Sequence, residues 1–476
     1  MPTLYALTAL LAFAQTPATA GRDLALKAMQ AMGGQAKLES VRKVTVEFAS
    51  HNYALEESER PEGPWFSTYS RGKVDTDFDS QKIDTQETLS GLLMGGEAPR
   101  KMSWTPAKPV SGYWFLGISG PSQLDLSPAR LLQTALASAD LRTDRPVKYH
   151  GIPHDVIRFS WDSVPVRVLI NHFTQLPAMV ETTDIGQGFW TVWGDVTEQV
   201  VYGNWDIAPG GLMLPTLWEV QRNGLPQEDV SILKTEVKYG PSPSKRPPIA
   251  HRRPASKPPL MPFKGVELTP GVIQYQSGFN CAAVDQGDGV VILEGVVSTA
   301  YMNAVVEDVA KRFPGKPIKA VVTTDDAWPH IGGLRYFVVH RIPIYAMPLN
   351  RPILERLFKA PFTTLPDELA KSPTNPVFRF VDGKAEIGKG PNRLVIRPMQ
   401  GSATERMLYA VLPEQKLLYA PDVIQRSGDQ WFSLNLVREM LNTLARDQIE
   451  VDKAFAFHSD LIAISELRAA VQKAEG

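Results

Sequence analysis

The spacing of apolar and polar positions changes character along the chain. Val44–Phe48, Trp65–Tyr69, Lys73–Phe78, Val156–Trp161, Val166–Ile170 and Leu217–Gln221 largely alternate apolar with polar residues, as half-exposed antiparallel strands do. Two helical stretches accompany them. Arg22–Met32 carries Leu24, Leu26, Met29 and Met32 and stops at Gly33-Gly34, and Pro128–Ala139 carries Leu131, Leu132, Ala135 and Leu136 behind Ser127 as N-cap. Residues 21–240 therefore predict one antiparallel β-rich domain. Beyond Phe263 the segments are shorter and more uniformly apolar: Gly271–Tyr275, Asn280–Val284 and Val290–Leu293 read as strands, and Ser298–Phe313 as an amphipathic helix N-capped by Ser298. Strands at Lys316–Val322, Ile342–Ala346, Arg393–Arg397, Met407–Leu412 and Lys416–Ala420, with helices at Arg351–Phe358, Val437–Ala445 and Ile464–Lys473, complete an α/β pattern.

Composition sharpens the boundary between the halves. Eight prolines between Pro241 and Pro262, with Lys245, Arg246, Arg252, Arg253 and Lys257, make a stiff basic linker over residues 241–263 with no hydrophobic period. The first twenty residues stand apart. Leu4–Ala14 is too short to span a bilayer comfortably, and Ala18-Thr19-Ala20 before Gly21 has the form of a secretory cleavage site, so residues 1–20 predict a signal peptide and export, periplasmic in a Gram-negative cell. The leader lacks Lys and Arg, which leaves a buried amphipathic first helix as the other reading. No other stretch reaches about 18 uninterrupted apolar residues, the length of a spanning helix. A net charge of −1 over 476 residues gives no global field for nucleic acid or an anionic membrane. The single cysteine, Cys281, excludes an intramolecular disulfide and reads as a buried, inert thiol. His150, His154 and His172 fall near one another in the β-rich half, but loop and edge histidines without a carboxylate at fixed spacing read as solvated rather than metal-binding.

Candidate chemistry centres on Val321–Gly333, an apolar run that breaks into Thr323-Thr324-Asp325-Asp326-Ala327-Trp328-Pro329-His330 and then Gly332-Gly333. It reads as a buried strand delivering two carboxylates and a histidine into a strand-to-helix loop, where α/β sheets usually place their sites. With Asn280, Gly289–Glu294 and Leu412–Asp422 around it, this stretch resembles the metallo-β-lactamase-fold hydrolase superfamily over residues 264–476. The resemblance implies an αββα sandwich, so the predicted fold class is α+β / α/β: an antiparallel β-rich domain followed by that sandwich. The span 151–177 of the first half loosely resembles periplasmic lipoprotein-carrier proteins, which hold an apolar ligand on a curved sheet.

The superfamily builds a two-metal site, usually zinc, from His-x-His-x-Asp-His, a later histidine, a bridging aspartate and a final histidine. Matched residue by residue, this chain has Asp325, Ala327, Pro329 and His330 in the motif, Ala403 at the later histidine, Asp422 at the bridging aspartate and His458 at the final histidine. The implied site is reduced: at most one divalent metal, most simply zinc, on His330, Asp422 and His458, with Asp325 or Asp326 as general base and an ester- or amide-type small molecule as substrate. The alternative is a non-catalytic ligand- or partner-binding protein that keeps the fold without metal. A third reading gives the function to the β-rich half, as a binder of an apolar molecule. Neither a Gly-x-Ser-x-Gly elbow nor a phosphate-binding glycine loop is present.

Overall fold

The computed structural model describes residues 16–55, 65–91, 96–105, 127–161, 164–185, 192–241, 262–427 and 430–476. Leu4–Ala14 and nearly all of the Pro-rich linker lie outside them. Among the described residues no helix is long and apolar enough to cross a membrane.

The first half is one eleven-stranded antiparallel sheet: β1 (Val41–Ala54), β2 (Phe66–Asp77), β3 (Lys82–Gly91), β4 (Gly96–Trp104), β5 (Arg142–Tyr149), β6 (Ile152–Trp161), β7 (Val164–Asn171), β8 (Pro177–Ile185), β9 (Asp195–Ala208), β10 (Leu212–Arg222) and β11 (Leu225–Tyr239). The strands lie in the order β4-β3-β2-β1-β11-β10-β9-β8-β7-β6-β5. Helices Pro17–Ala31 and Leu131–Ala137 cover one face, where Ala25, Ala28, Met29, Leu131 and Leu132 pack on Ile157, Val166, Val168, Val180 and Tyr202. The two strands expected at Trp65–Tyr69 and Lys73–Phe78 are one continuous β2, because Ser70, Arg71 and Gly72 pair in unbroken register with Ser50, Ala49 and Phe48. The second helix begins at Leu131 rather than Pro128; the Ser127 carbonyl, not its side chain, accepts the amides of Arg130 and Leu131. Ala18-Thr19-Ala20 forms the first turn of the helix Pro17–Ala31, capped by Thr16 Oγ1 on the Thr19 amide.

The second half is two mixed sheets. One holds β12 (Lys264–Thr269), β13 (Val272–Gln276), β14 (Cys281–Asp285), β15 (Val290–Leu293), β16 (Ile318–Val322), β17 (Ile344–Ala346) and β18 (Phe378–Phe380). The other holds β19 (Ala385–Ile387), β20 (Leu394–Pro398), β21 (Leu408–Leu412), β22 (Leu417–Ala420) and, past the hairpin β23 (Arg426–Ser427) and β24 (Gln430–Trp431), β25 (Lys453–Ala456) and β26 (Ser459–Ala463). Side-chain alternation explains their apolar runs: Val291 and Leu293 enter the core between the sheets with Leu408, Ala410, Leu412 and Tyr419, while Val290 and Ile292 face helices Thr299–Arg312 and Arg351–Lys359. Helices Leu434–Arg446 and Ile464–Glu475 cover the outer face of the second sheet through Val437, Met440 and Leu467. The layer order is helix, sheet, sheet, helix, the αββα arrangement that the resemblance implied.

Trp193 and Val196 of the first half join the outer core of the second. The Arg356 guanidinium lies 4.2 Å over the Trp193 ring, and Asp195 accepts the Thr363 amide at 2.9 Å.

Candidate functional site

The site lies where β15 and β16 end. Beyond Leu293 the chain turns through Glu294, whose φ of +74° is left-handed, and its amide donates to the Val322 carbonyl at 2.8 Å. Residues 294–297 then run against 329–333: the Val297 amide reaches the Pro329 carbonyl at 2.9 Å and the Gly333 amide reaches the Gly295 carbonyl at 2.7 Å. The paired glycine permits this approach, since a Cβ at Gly332 would stand 2.2 Å from the Val297 carbonyl oxygen. Between the two runs, Asp325 Oδ1 accepts the amides of Asp326 at 2.6 Å and Ala327 at 2.9 Å and folds the turn. Pro329 occupies the first turn of the short helix Trp328–Ile331, where its missing N–H is harmless.

His330 is carried inward by that helix and is fully buried, its ring stacked on Phe457 with centroids 3.7 Å apart. Its Nδ1 lies 3.4 Å from Glu294 Oε1, and its Nε2 lies 3.9 Å from Asp422 Oδ2. His458 approaches Asp422 from the other side, Nε2 to Oδ1 at 3.6 Å. Glu294 is anchored by the Thr324 amide at 3.1 Å and by the Thr324 hydroxyl. The Asp422 and His458 side chains keep 22% and 28% of their surface exposed, whereas Glu294 and His330 keep none, so the cluster opens at the Asp422–His458 edge.

Four carboxylates, Glu294, Asp325, Asp326 and Asp422, gather here. Facing them are His330 and Arg406, whose Nη1 lies 3.7 Å from Asp326 Oδ2. Burial pushes the Glu294 and Asp325 carboxyls up, with His330 pulling the other way. Burial also works against a charged His330, but Glu294, Asp422 and Asp325 outweigh it and hold the imidazole well above its ordinary value. Asp422 is held below the usual carboxylate range despite burial, by His458 and His330, while burial lowers His458. Five polar atoms in this cluster are buried without a hydrogen-bond partner: Glu294 Oε2, His330 Nδ1 and Nε2, Asp422 Oδ1 and the Tyr419 hydroxyl. Buried and close to the Glu294 and Asp422 carboxylates, the Tyr419 hydroxyl is pushed far above its ordinary pKa.

Of the residues singled out in the sequence, His330, Asp422 and His458 come together, and Asp325 and Asp326 adjoin them. Asp325 spends one carboxylate oxygen on its own turn. Ala327 and Pro329 bring no donor atoms, and Trp328, 1% exposed and packed edge-on to Phe279, occupies the volume beside them. Ala403 sits in a loop held by Glu439, which accepts the Ser402 amide at 3.0 Å and the Thr404 hydroxyl at 2.9 Å. Arg406 donates to the Leu349 carbonyl at 2.7 Å, and Thr404 is fully buried. Among the described residues no group of three or more His, Cys, Asp or Glu side chains is placed to hold a metal ion. In the β-rich half His172 pairs with Asp155 at 2.8 Å and His154 Nδ1 contacts the Ile152 carbonyl at 2.9 Å.

Sequence reasoning missed Glu294 and Tyr419 as members of the site. The available signal was a glutamate directly after the wholly buried run Val290–Leu293 and directly before glycine, a poor place for a surface charge.

No protein-family model and no curated protein matches the chain. Solved structures similar to part of it are metallo-β-lactamases. A metallo-β-lactamase from Pontibacter korlensis is 12% identical, over 45% of this chain and 100% of that one, with a TM-score of 0.36. FIM-1 from Pseudomonas aeruginosa, in its mono-zinc form, is 18% identical over 46% and 98%, with a TM-score of 0.36. TMB-1 is 15% identical over 45% and 99%, with a TM-score of 0.35. With TM-scores this low, the four-layer architecture rests on the sheet order and packing described above.

Proposed function

We propose that the protein is an exported hydrolase relative of the metallo-β-lactamase fold that takes one divalent cation on His330, Asp422 and His458 and acts on an ester- or amide-type small molecule. The observation that carries this reading is the set of five unpartnered buried atoms within a carboxylate-rich cluster, since buried polar groups left unpaired call for a missing water or ion. A nitrogen, oxygen, nitrogen donor set suits zinc. No three of these side chains stand at ligating distance as they are, so the reading requires Asp422 and His458, at the open edge, to close on the ion. Zinc held by these residues would supply Lewis acidity there. The remaining work falls to the chain itself: Phe457 stacks on His330, Trp328 fills the volume beside it, and Asp422 and His458, the exposed edge of the cluster, meet the substrate. Asp325 or Asp326 serves as general base, Asp326 lying beside Arg406.

One observation favours the alternative. His330, charged between Glu294 and Asp422, already supplies a buried cation, and ion pairing of this kind suits a non-catalytic binding protein. Hydrolysis separates the two. Tagless protein loaded with zinc, manganese or iron is assayed on chromogenic ester, thioester, lactam and phosphoester substrates. The hydrolase reading expects turnover of one class, reduced at least 100-fold in Asp422→Ala and His458→Ala. Metal-loaded protein inert towards all four classes transfers the function to binding.

A further inference from the structure

We infer that residues 360–367 are a strap that fastens the two halves of the chain: Asp195 of the β-rich half, seated on the backbone amides of Thr363 and Thr364, sets how that half docks and makes the two unfold as one cooperative unit. The strap follows helix Arg351–Lys359, and its own half holds it at both ends through Arg335, which is 3% exposed. The Arg335 guanidinium donates to the Leu357 and Phe358 carbonyls at 2.8 and 3.2 Å, where the helix ends. It also donates to both oxygens of Asp367, at 2.6 and 2.7 Å. Between these anchors the Phe362 ring lies over the guanidinium, 4.0 Å from its carbon. Asp367 in turn caps the short helix Glu368–Lys371 by accepting the Ala370 amide at 2.8 Å. One buried arginine thus gives the strap a fixed shape.

The β-rich half meets that shape with directional bonds. The Asp195 amide donates to the Pro361 carbonyl at 2.5 Å, and the Asp195 carboxylate accepts the Thr363 amide at 2.9 Å, the Thr364 amide at 3.1 Å and the Thr363 hydroxyl. Two successive amides aimed at one carboxylate make an anion-binding concavity. Asp195 is 7% exposed, and a carboxylate so far removed from water is stable only where charge-assisted hydrogen bonds replace its hydration. The donors just named all belong to the other half, so a slid or rotated docking would bury the charge without them. Gly194 completes the fit: its φ of +70° is left-handed, and a Cβ there would stand 2.1 Å from the Pro361 carbonyl oxygen. Apolar packing alone does not fix the junction, because a cavity of about 430 Å³, with Trp193, Asp195, Arg356 and Pro361 among its walls, interrupts it.

The test uses the full-length protein, with amide hydrogen exchange read by mass spectrometry and thermal unfolding read by calorimetry. Wild type is expected to unfold in a single transition and to protect the peptide that carries Thr363 and Thr364. Asp195→Ala, which removes the charged acceptor, is expected to speed exchange in that peptide about 10-fold or more and to split unfolding into two transitions, one for each half. Asp195→Asn keeps an acceptor without the charge and is expected to fall between the two. Thr363→Val removes the hydroxyl and keeps the amide; it serves if Asp195→Ala does not fold, and it is expected to speed exchange in the same direction by a smaller factor. Two independent transitions in wild type overturn the inference. So does a folded Asp195→Ala that keeps the single transition, or exchange at residues 363 and 364 that neither Asp195→Ala nor Thr363→Val alters.

Discussion

Each half of the molecule takes a glutamate out of water, and the two are treated differently. Glu228 of β11 sits in the large sheet opposite Asn52, where burial pushes its carboxyl up to about 7 against hydrogen bonds from Ser50 and Asn52. The side chains of Ser50 and Asn52 hold it, and the arginine nearby, Arg222, is itself paired to Glu198 at 3.1 Å. Glu294 is more deeply buried and keeps one oxygen unpaired, beside a histidine with both nitrogens unpaired and an aspartate with one oxygen unpaired. A part-buried carboxyl flanked by Ser50 and Asn52 is a structural cost met within the sheet. One whose neighbourhood collects orphaned donors and acceptors is shaped for something not supplied by the chain.

Substitutions can break or sharpen that contrast. The largest effect is expected from Gly332→Ala, whose new Cβ would press on the Val297 carbonyl oxygen 2.2 Å away and pry apart the two loops that join Glu294 to His330. Overpacking against backbone should cost about 3 kcal/mol, read as a fall in the denaturation midpoint, and should weaken zinc binding as well. Wild-type stability in the Gly332→Ala variant would mean the loops are not locked as described.

Glu228 comes next, through its pH dependence. Its folded-state value of about 7 exceeds the ordinary 4.5, so the folded protein holds the proton longer than the unfolded chain. The associated stability is present below pH 4.5 and is lost as pH rises through about 7. Glu228→Gln should therefore match wild type at pH 4 and exceed it at pH 8 by at most about 3 kcal/mol, measured by urea unfolding at both. A constant difference across that range would show that Glu228 titrates normally. The smallest effect is expected from Asp288→Asn, which removes an exposed pair with Lys319 at 2.7 Å and should leave the denaturation midpoint unchanged.

Much of the second half was legible in the sequence. Val290–Leu293 is a strand with the expected bounds, and Ser298 caps the following helix by accepting the Tyr301 amide. Both signals are local: a run of apolar residues and a hydroxyl before a helical stripe. His330, Asp422 and His458 could be brought together only through the resemblance, because no local spacing links positions so far apart. The polar strand β11 is held by pairing with β1 and β10 on either side, and β25 and β26 are equally dependent on distant partners, so long-range pairing outweighed the local pattern in each. Glu294 escaped for a similar reason. Its role arises from a left-handed backbone turn and from two glycine-bearing loops meeting, neither of which the side-chain pattern records.

The central claim is that the orphaned atoms around His330 are the walls of a cation site, and counting ions tests it most directly. Tagless protein is incubated with zinc, exchanged into metal-free buffer and examined by native mass spectrometry beside the Asp422→Ala, His458→Ala double variant. One zinc per wild-type chain and none on the folded double variant is the result expected. A folded wild-type chain that retains no zinc, or a double variant that retains as much as wild type, would contradict it.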